Sequence, residues 1–391
     1  MTTTEPDLTT LPASDVDSLP ASDVDDAAAA STGRWDLLVE RDRPGRTRLV
    51  VLEDDEPALA DGEVEVAVER FGLTANNVTY AVLGDAWRYY DHFPCWLPGL
   101  ARVPVWGFAR VTASAHADVA VGERLYGFWP MSTHARLTPT GVTEVTLADG
   151  AEHRAGLPAV YTRYQRCAAD PLHDPETADH EALLRPLFLT AWLLADDLRS
   201  RLDAVRGDGP GRVVLTSASS KTALATAHLL ARAGGVEVVG ITSTGNVGFV
   251  MGNDGYDLAL AYREVEVLPV GIPTVVADVA GNGGVVVDLH DHLGDTLHAS
   301  LLVGASHGSM PELPPNLAGP TPEMFSAPAV ASRRQGGLDD EAMATAWRGF
   351  LETAAEWLDV VHGQGPEAVA RVWRDLNDEG VGPREGNVLV P

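Results

Sequence analysis

The chain has 391 residues, 45% of them apolar, with 28 Lys+Arg against 56 Asp+Glu and a formal net charge of −28. That length accommodates two domains with separate cores, and that charge excludes nucleic acid and anionic membrane surfaces as partners. Cys95 and Cys167 are too few for a disulfide framework or a four-thiolate zinc site and fit a reducing cytoplasm. No apolar run reaches the roughly 18 residues of a membrane span, and the N-terminus lacks the basic and apolar regions of a signal peptide.

Residues 1–33 are rich in Thr, Ser, Asp and Ala and carry a tandem octad beginning at Leu11 and again at Leu19. So short and polar a repeat cannot bury enough area to offset chain entropy, so a disordered acidic tail is expected. From Trp35 to about Pro158 the pattern is one of short strands: Val64, Val66 and Val68 alternate after the turn pair Asp61-Gly62, and Gly122 to Phe128 reads as another strand. A long apolar helix is predicted over Ala182 to Leu202, interrupted at Pro186 and carrying Thr190-Ala191-Trp192. Strand and helix then alternate: strand 212–216, helix 220–233, strand 236–241, and further strands near Leu258–Tyr262, Thr274–Val279, Val285–Leu289 and Ala299–Val303. Such alternation implies a parallel sheet covered by helices, with a ligand at the carboxyl ends of its strands. The last 45 residues read as mostly helical before a closing strand at Asn387–Val390.

Chemistry concentrates in one turn, Thr216-Ser217-Ala218-Ser219-Ser220-Lys221-Thr222, which holds the only lysine of the chain. A strand, a turn of small hydroxyl residues and a helix N-terminus make an anion cradle, because unpaired backbone N–H groups and the helix dipole favour a phosphate there. A Walker-type loop would need glycines where this chain has Leu215 and Ser220.

The order of these parts resembles the quinone-reductase-like, zinc-free branch of the medium-chain dehydrogenases, and within it an uncharacterised family marked by Ser-Ala-Ser-Ser-Lys-Thr-Ala. Asn76-Asn77-Val78-Thr79-Tyr80 looks like its nicotinamide-side asparagine segment, and Val121 to Gly127 is similar to its "vGDrVyG" turn. Thr190-Ala191-Trp192 resembles its "TAy" helix start, Ala261-Tyr262-Arg263-Glu264 its adenosine-side tyrosine segment, and Gly304-Ala305-Ser306-His307-Gly308 its "GnaSG" turn beside the nicotinamide. The stretch from Pro366 to Val390 is similar to its closing helix and strand.

The resemblance implies an α/β fold: a Rossmann-like doubly wound parallel sheet over 186–319, and a GroES-like β-rich catalytic domain over 34–185 completed by 320–391. It implies cofactor contacts at Ser217, Ser219, Ser220, Lys221, Thr222, Thr242, Ser243, Tyr262, Gly304 and Ser306, with His307 near the nicotinamide, and a homodimer. The second strand runs into Thr242-Ser243-Thr244-Gly245-Asn246 without the carboxylate that would select NAD, which favours NADP(H). The turn departs from the family in having serines where glycines are usual, so a backbone there approaches a pyrophosphate less closely. At Pro104 to Phe108 the residues that would hold catalytic zinc are missing, so no metal is expected.

Without metal, a phenol or an ordered water must polarise the acceptor and supply a proton. Tyr80 is the candidate, with Asn76 as its positioning neighbour, and Trp87, Tyr89, Tyr90, Phe93, Trp96 and Trp106 are expected to wall a pocket for a flat conjugated small molecule. The expected activity is NADPH-dependent reduction of an activated C=C or a quinone. The alternatives are a cofactor-binding sensor or scaffold without turnover, and a lyase or isomerase using the same cleft.

Overall fold

The computed structural model describes residues 33–52, 58–279, 281–304, 313–333, 340–378 and 381–391, so most of the expected N-terminal tail lies outside the described residues. The first half is strand-rich: β1 (Arg34–Glu40), β2 (Arg43–Leu52), β3 (Val64–Leu73), β4 (Leu100–Ala101), β5 (Pro104–Ser114), β6 (Arg124–Pro130), β7 (His134–Leu137), β8 (Pro139–Thr140), β9 (Thr146–Asp149) and β10 (Arg163–Arg166). Helix α1 (Ala75–Val82) follows β3 directly. In β3 the alternation works as expected, with Val64, Val66 and Val68 buried and the residues between them half-buried. The core of this part is aromatic, with Trp35, Phe71, Phe108, Phe128 and Trp129 all fully buried.

Helix α2 (Ala178–Arg206) leads into a second sheet. Its strands are β11 (Arg212–Thr216), β12 (Glu237–Thr242), β13 (Leu258–Ala261), β14 (Thr274–Asp278), β15 (Leu297–Leu302) and β16 (Glu323–Met324). All pair in parallel, in the order β13-β12-β11-β14-β15-β16. This is the doubly wound order, and it reverses direction between β11 and β14. Helices cover both faces, so strands such as β11 and β14 are buried at every residue. Val213 and Leu215 pack under α3 (Lys221–Ala233), whereas Val214 faces α4 (Gly283–Leu293).

Helix α4 corrects the strand expected at Val285–Leu289. Three consecutive valines favour a strand, but the Asn282 side chain caps the Val285 amide. Val285, Val286, Leu289, His290 and Leu293 are then buried at helical spacing on the sheet.

The interruption expected at Pro186 is absent as well, since α2 runs through it for 29 residues. Proline removes the amide that would bond the Ala182 carbonyl. That carbonyl lies against Gly72 of β3, where a Cβ would come within 2.6 Å of the Ala182 oxygen and 2.9 Å of its carbonyl carbon. Gly72→Ala is therefore expected to lower stability by about 1–3 kcal/mol. The urea midpoint checks this, and an unchanged midpoint would mean that strand and helix separate freely.

After β16 come α5 (Ala327–Arg333), α6 (Asp340–Trp357), β17 (Asp359–Gln364), α7 (Gly365–Asp378) and β18 (Glu385–Val390). This stretch is shared between the two sheets. Helix α6 buries Trp347, Phe350, Ala354 and Trp357 in the core under the parallel sheet. Helix α7 instead packs Val369, Val372 and Trp373 into the aromatic core of the first half. Strand β18 pairs antiparallel with β3 and completes a nine-stranded sheet whose main path is β17-β18-β3-β5-β6-β10-β9-β8. Helix α2 ties the two cores together, since Ala178 and Ala182 belong to the first and Leu183 to Leu202 to the second.

Candidate functional site

The hydroxyl turn leaves β11 at the reversal point of the parallel sheet and opens α3. Ser217 takes a left-handed φ of 48°, a conformation usually given to glycine, and so keeps the tight turn that glycine would otherwise supply. Its Oγ lies 3.2 Å from the Tyr262 hydroxyl, which closes over the turn from the end of β13. The Ser219 Oγ accepts from Thr242 Oγ1 and from Asn246 Nδ2, both at 3.1 Å, and joins the turn to the end of β12. Ser220 is the N-cap of α3, its Oγ accepting from the Ala223 amide at 3.3 Å. The first-turn amides of Lys221 and Thr222 have no carbonyl within the helix to bond, and they stand where an anion would be received.

The Lys221 side chain goes elsewhere. Its Nζ donates to the carbonyls of Glu385 at 2.6 Å and Pro383 at 3.3 Å, at the start of β18. Burial pushes this amine down to about 8, with the nearby Glu385 carboxylate pulling the other way. What it provides is a clasp between the cofactor-side helix and the last strand of the other sheet.

Around the turn, Thr242 is buried and Ser243 exposed at the end of β12, and no carboxylate accompanies them. Across the reversal point Thr216 Oγ1 donates to Asp278 at the end of β14. Gly304 follows β15, and a Cβ there would sit 2.3 Å from the Val279 carbonyl oxygen, so only glycine lets the two strand ends come so close. The set fits a dinucleotide: small hydroxyl residues, two unpaired first-turn amides and a close-approach glycine all lie at the carboxyl edge of the sheet. Ser306 and His307, expected beside the nicotinamide, lie outside the described residues.

Tyr80 belongs to the other half of the molecule, on α1. Thr74 and Asn77 form a capping box that starts this helix, and the Asn77 amide also donates to the Pro104 carbonyl at 3.2 Å. Asn77 is thus structural, while its neighbour Asn76 stands one turn before Tyr80 on the same helix. The Trp106 indole donates to the Tyr80 hydroxyl at 3.1 Å. Burial raises the Tyr80 pKa well above the ordinary phenol value, the neighbouring Tyr161 adds to the rise, and the nearby Trp106 and Asn76 side chains oppose it. A phenol that receives the Trp106 N–H on its oxygen and does not ionise has its own proton to give.

Tyr80 and Trp106 form part of the wall of a cavity of about 820 Å³ between the β-rich half and α2, α5 and α6. Of the aromatic residues expected around it, Trp87 and Trp96 are exposed, and Tyr89, Tyr90 and Phe93 pack in the core behind Tyr80. The aromatic wall comes instead from Tyr126 on β6, Tyr161, Phe188 on α2 and Trp347 on α6. Tyr126 stacks on Trp106 at 5.8 Å, and the Arg185 guanidinium lies over the Tyr126 ring at 4.5 Å. Arg185 is neutralised by Asp170 and Glu181, and Glu181 also meets His173 Nδ1 at 2.8 Å. Asn246 in the one cluster and Tyr126, Tyr161, Phe188 and Trp347 in the other are members that sequence reasoning did not assign to the site. Asn246 was within reach of it, standing in the same polar loop as Thr242. No group of three or more His, Cys, Asp or Glu that could hold a metal ion occurs among the described residues, and no helix among them is long and apolar enough to cross a membrane.

Residues 71–382 match the model of a family described as a protein of unknown function (DUF2855). No curated protein matches the chain. Among solved structures, a mutant enoyl thioester reductase from Candida tropicalis is similar at 11% identity, covering 92% of this chain and 100% of that one with a TM-score of 0.57. CurA from Vibrio vulnificus in complex with NADPH is similar at 15% identity, over 88% and 94% of the two chains, TM-score 0.56. The yhdH oxidoreductase from Salmonella enterica in complex with NADP matches at 18% identity, over 91% and 99%, TM-score 0.53. At such identities the likeness is one of fold: a Rossmann-like parallel sheet joined to a GroES-like β-rich part.

Proposed function

The chain belongs to the DUF2855 family, and from that premise we propose that it is a zinc-independent, NADPH-dependent oxidoreductase that reduces an activated C=C or a quinone by hydride transfer. The observation that carries this reading is the un-ionised phenol of Tyr80, held by the Trp106 indole at the wall of the cavity between the β-rich half and α2, α5 and α6. It is supported by the solved structures of like fold that contain NADP or NADPH.

Bound NADPH supplies the hydride. The pyrophosphate is held by the amides of Lys221 and Thr222 with the hydroxyl residues Ser217, Ser219 and Ser220, aided by the α3 dipole. Thr242, Ser243 and Tyr262 would hold the 2′-phosphate, and Gly304 would leave room for the nicotinamide. Asn76 and Trp106 orient the Tyr80 hydroxyl, whose O–H donates to the substrate carbonyl oxygen as negative charge develops on it. The apolar walls keep water from the reacting carbon and strengthen that hydrogen bond.

Fluorescence titration with NADPH and NADH, followed by a screen of enones and quinones for loss of nicotinamide absorbance, tests the proposal. NADPH is expected to bind at least about tenfold more tightly than NADH, the equivalent of one charge-assisted hydrogen bond to the 2′-phosphate. Binding of neither coenzyme would refute it. One observation favours a second reading, a cofactor sensor without turnover: the hydroxyls of Ser217 and Ser219 already engage Tyr262, Thr242 and Asn246. Tight NADPH binding with no turnover of any acceptor selects that reading.

A further inference from the structure

The cavity beside Tyr80, about 820 Å³, is near the upper end of the range that encloses a drug-sized ligand. A small conjugated head engages only its aromatic end. From there the wall continues along α2 through Arg185, Leu189 and Leu193. These residues follow one another at i, i+4 and i+8, so they share one helix face over about 12 Å. Past Arg185 that face is aliphatic. Met343 and Trp347, one turn apart on α6, line the same cavity. Trp347 is a fixed wall, because its indole donates to the Leu172 carbonyl at 3.2 Å and its ring meets Phe188 edge-on at 5.2 Å.

The trough begins at the reactive end. The Arg185 guanidinium lies over Tyr126, Tyr126 stacks on Trp106, and Trp106 donates to the Tyr80 hydroxyl. Arg185 is matched by Asp170 and Glu181, so it does not call for an anion at that point. An apolar trough of this length leading from a hydrogen-bond donor is complementary to a molecule with a polar conjugated head and an extended hydrocarbon chain.

We infer that the substrate is an activated alkene or quinone bearing an unbranched apolar chain, which lies along Leu189 and Leu193 of α2 and against Met343 and Trp347 of α6. The inference rests on the reductase reading above and adds the substrate class to it.

The full chain is assayed with NADPH and vinyl ketones carrying methyl, butyl and octyl groups on the β-carbon. Each buried methylene is expected to raise kcat/KM by about threefold, so burial of only three of the seven added from methyl to octyl already gives about thirtyfold. Met343→Trp, which fills the far part of the trough, is expected to shrink the octyl-to-methyl ratio at least about tenfold. A ratio that stays flat or falls with chain length in the unaltered chain overturns the inference, whether or not the variant folds. If NADPH is consumed neither with any of the ketones nor with any quinone of the screen, the reductase reading fails. The inference is then decided by binding alone: quenching of tryptophan fluorescence must show the octyl ketone at least about tenfold tighter than the methyl one, and equal affinities overturn it.

Discussion

Tyr80→Phe is expected to lower kcat for an accepted enone by about a hundredfold to ten-thousandfold, the contribution typical of a positioned proton donor, with the Kd for NADPH unchanged. The substitution keeps the ring and its packing against Tyr89 at 4.5 Å and Phe128 at 5.4 Å. It removes the acceptor of the Trp106 indole, so stability falls too, by about 1–3 kcal/mol for one buried donor left unpaired. Trp106→Phe separates the two effects. It frees the Tyr80 oxygen from one donor while leaving its proton, so kcat falls less than in Tyr80→Phe. Steady-state kinetics with melting curves on both variants reads these outcomes, and a kcat within about threefold of wild type in Tyr80→Phe removes the phenol from the mechanism.

The second large effect concerns Lys221 and appears in stability against pH. The unfolded chain holds this proton up to the ordinary value of 10.5, whereas the folded chain releases it at about 8. Between those values the unfolded state binds more protons, so stability rises with pH, by up to about 3 kcal/mol in total. Below pH 8 the amine is charged in both states and the folded state bears the full cost of burying it. Lys221→Met removes the group that titrates, and its stability should lack this rise. Urea midpoints of both proteins at pH 7.5 and pH 10 give the comparison, and other groups common to the two cancel. Parallel profiles would show that the amine is not held where Glu385 and Pro383 receive it. Because the chain has no other lysine, no second side-chain amine obscures the window.

Much of the fold was legible because local and long-range signals agreed. The alternation from Arg212 onward, with the hydroxyl turn between β11 and α3, identified the parallel sheet. Where local signals conflicted, sequence reasoning followed the louder one. Val285 to Val287 spelled a strand by β-branching, yet Asn282, three residues ahead of Val285, is the N-cap that starts a helix. Strand β17 was missed because its residues are largely exposed and carry no period of two.

At the candidate site, Asn76 and Tyr80 were found together because they are neighbours on one helix. The walls were not, since neighbours in sequence need not line one space: Trp87 and Trp96 lie on the surface, while Tyr126, Tyr161 and Trp347 arrive from distant elements. Lys221 teaches the same lesson from the other side. Its place at the head of α3 was readable, but the reach of its side chain to a carbonyl 164 positions away depends on how two sheets meet.

The pairing of β18 with β3 has a consequence for biosynthesis. Leu73 meets Asn387, so the order in which the ribosome delivers the chain sets the order of assembly. The six parallel strands emerge between these partners and can close on themselves first. Until β18 is made, the Phe71–Leu73 end of β3 lacks a partner on the border that β7 covers only at Val64–Ala67, a short template for the strands of other nascent chains. Slow translation through α6 and α7 lengthens that wait, and yield in a heterologous host should rise when a chaperone shields the early-made half.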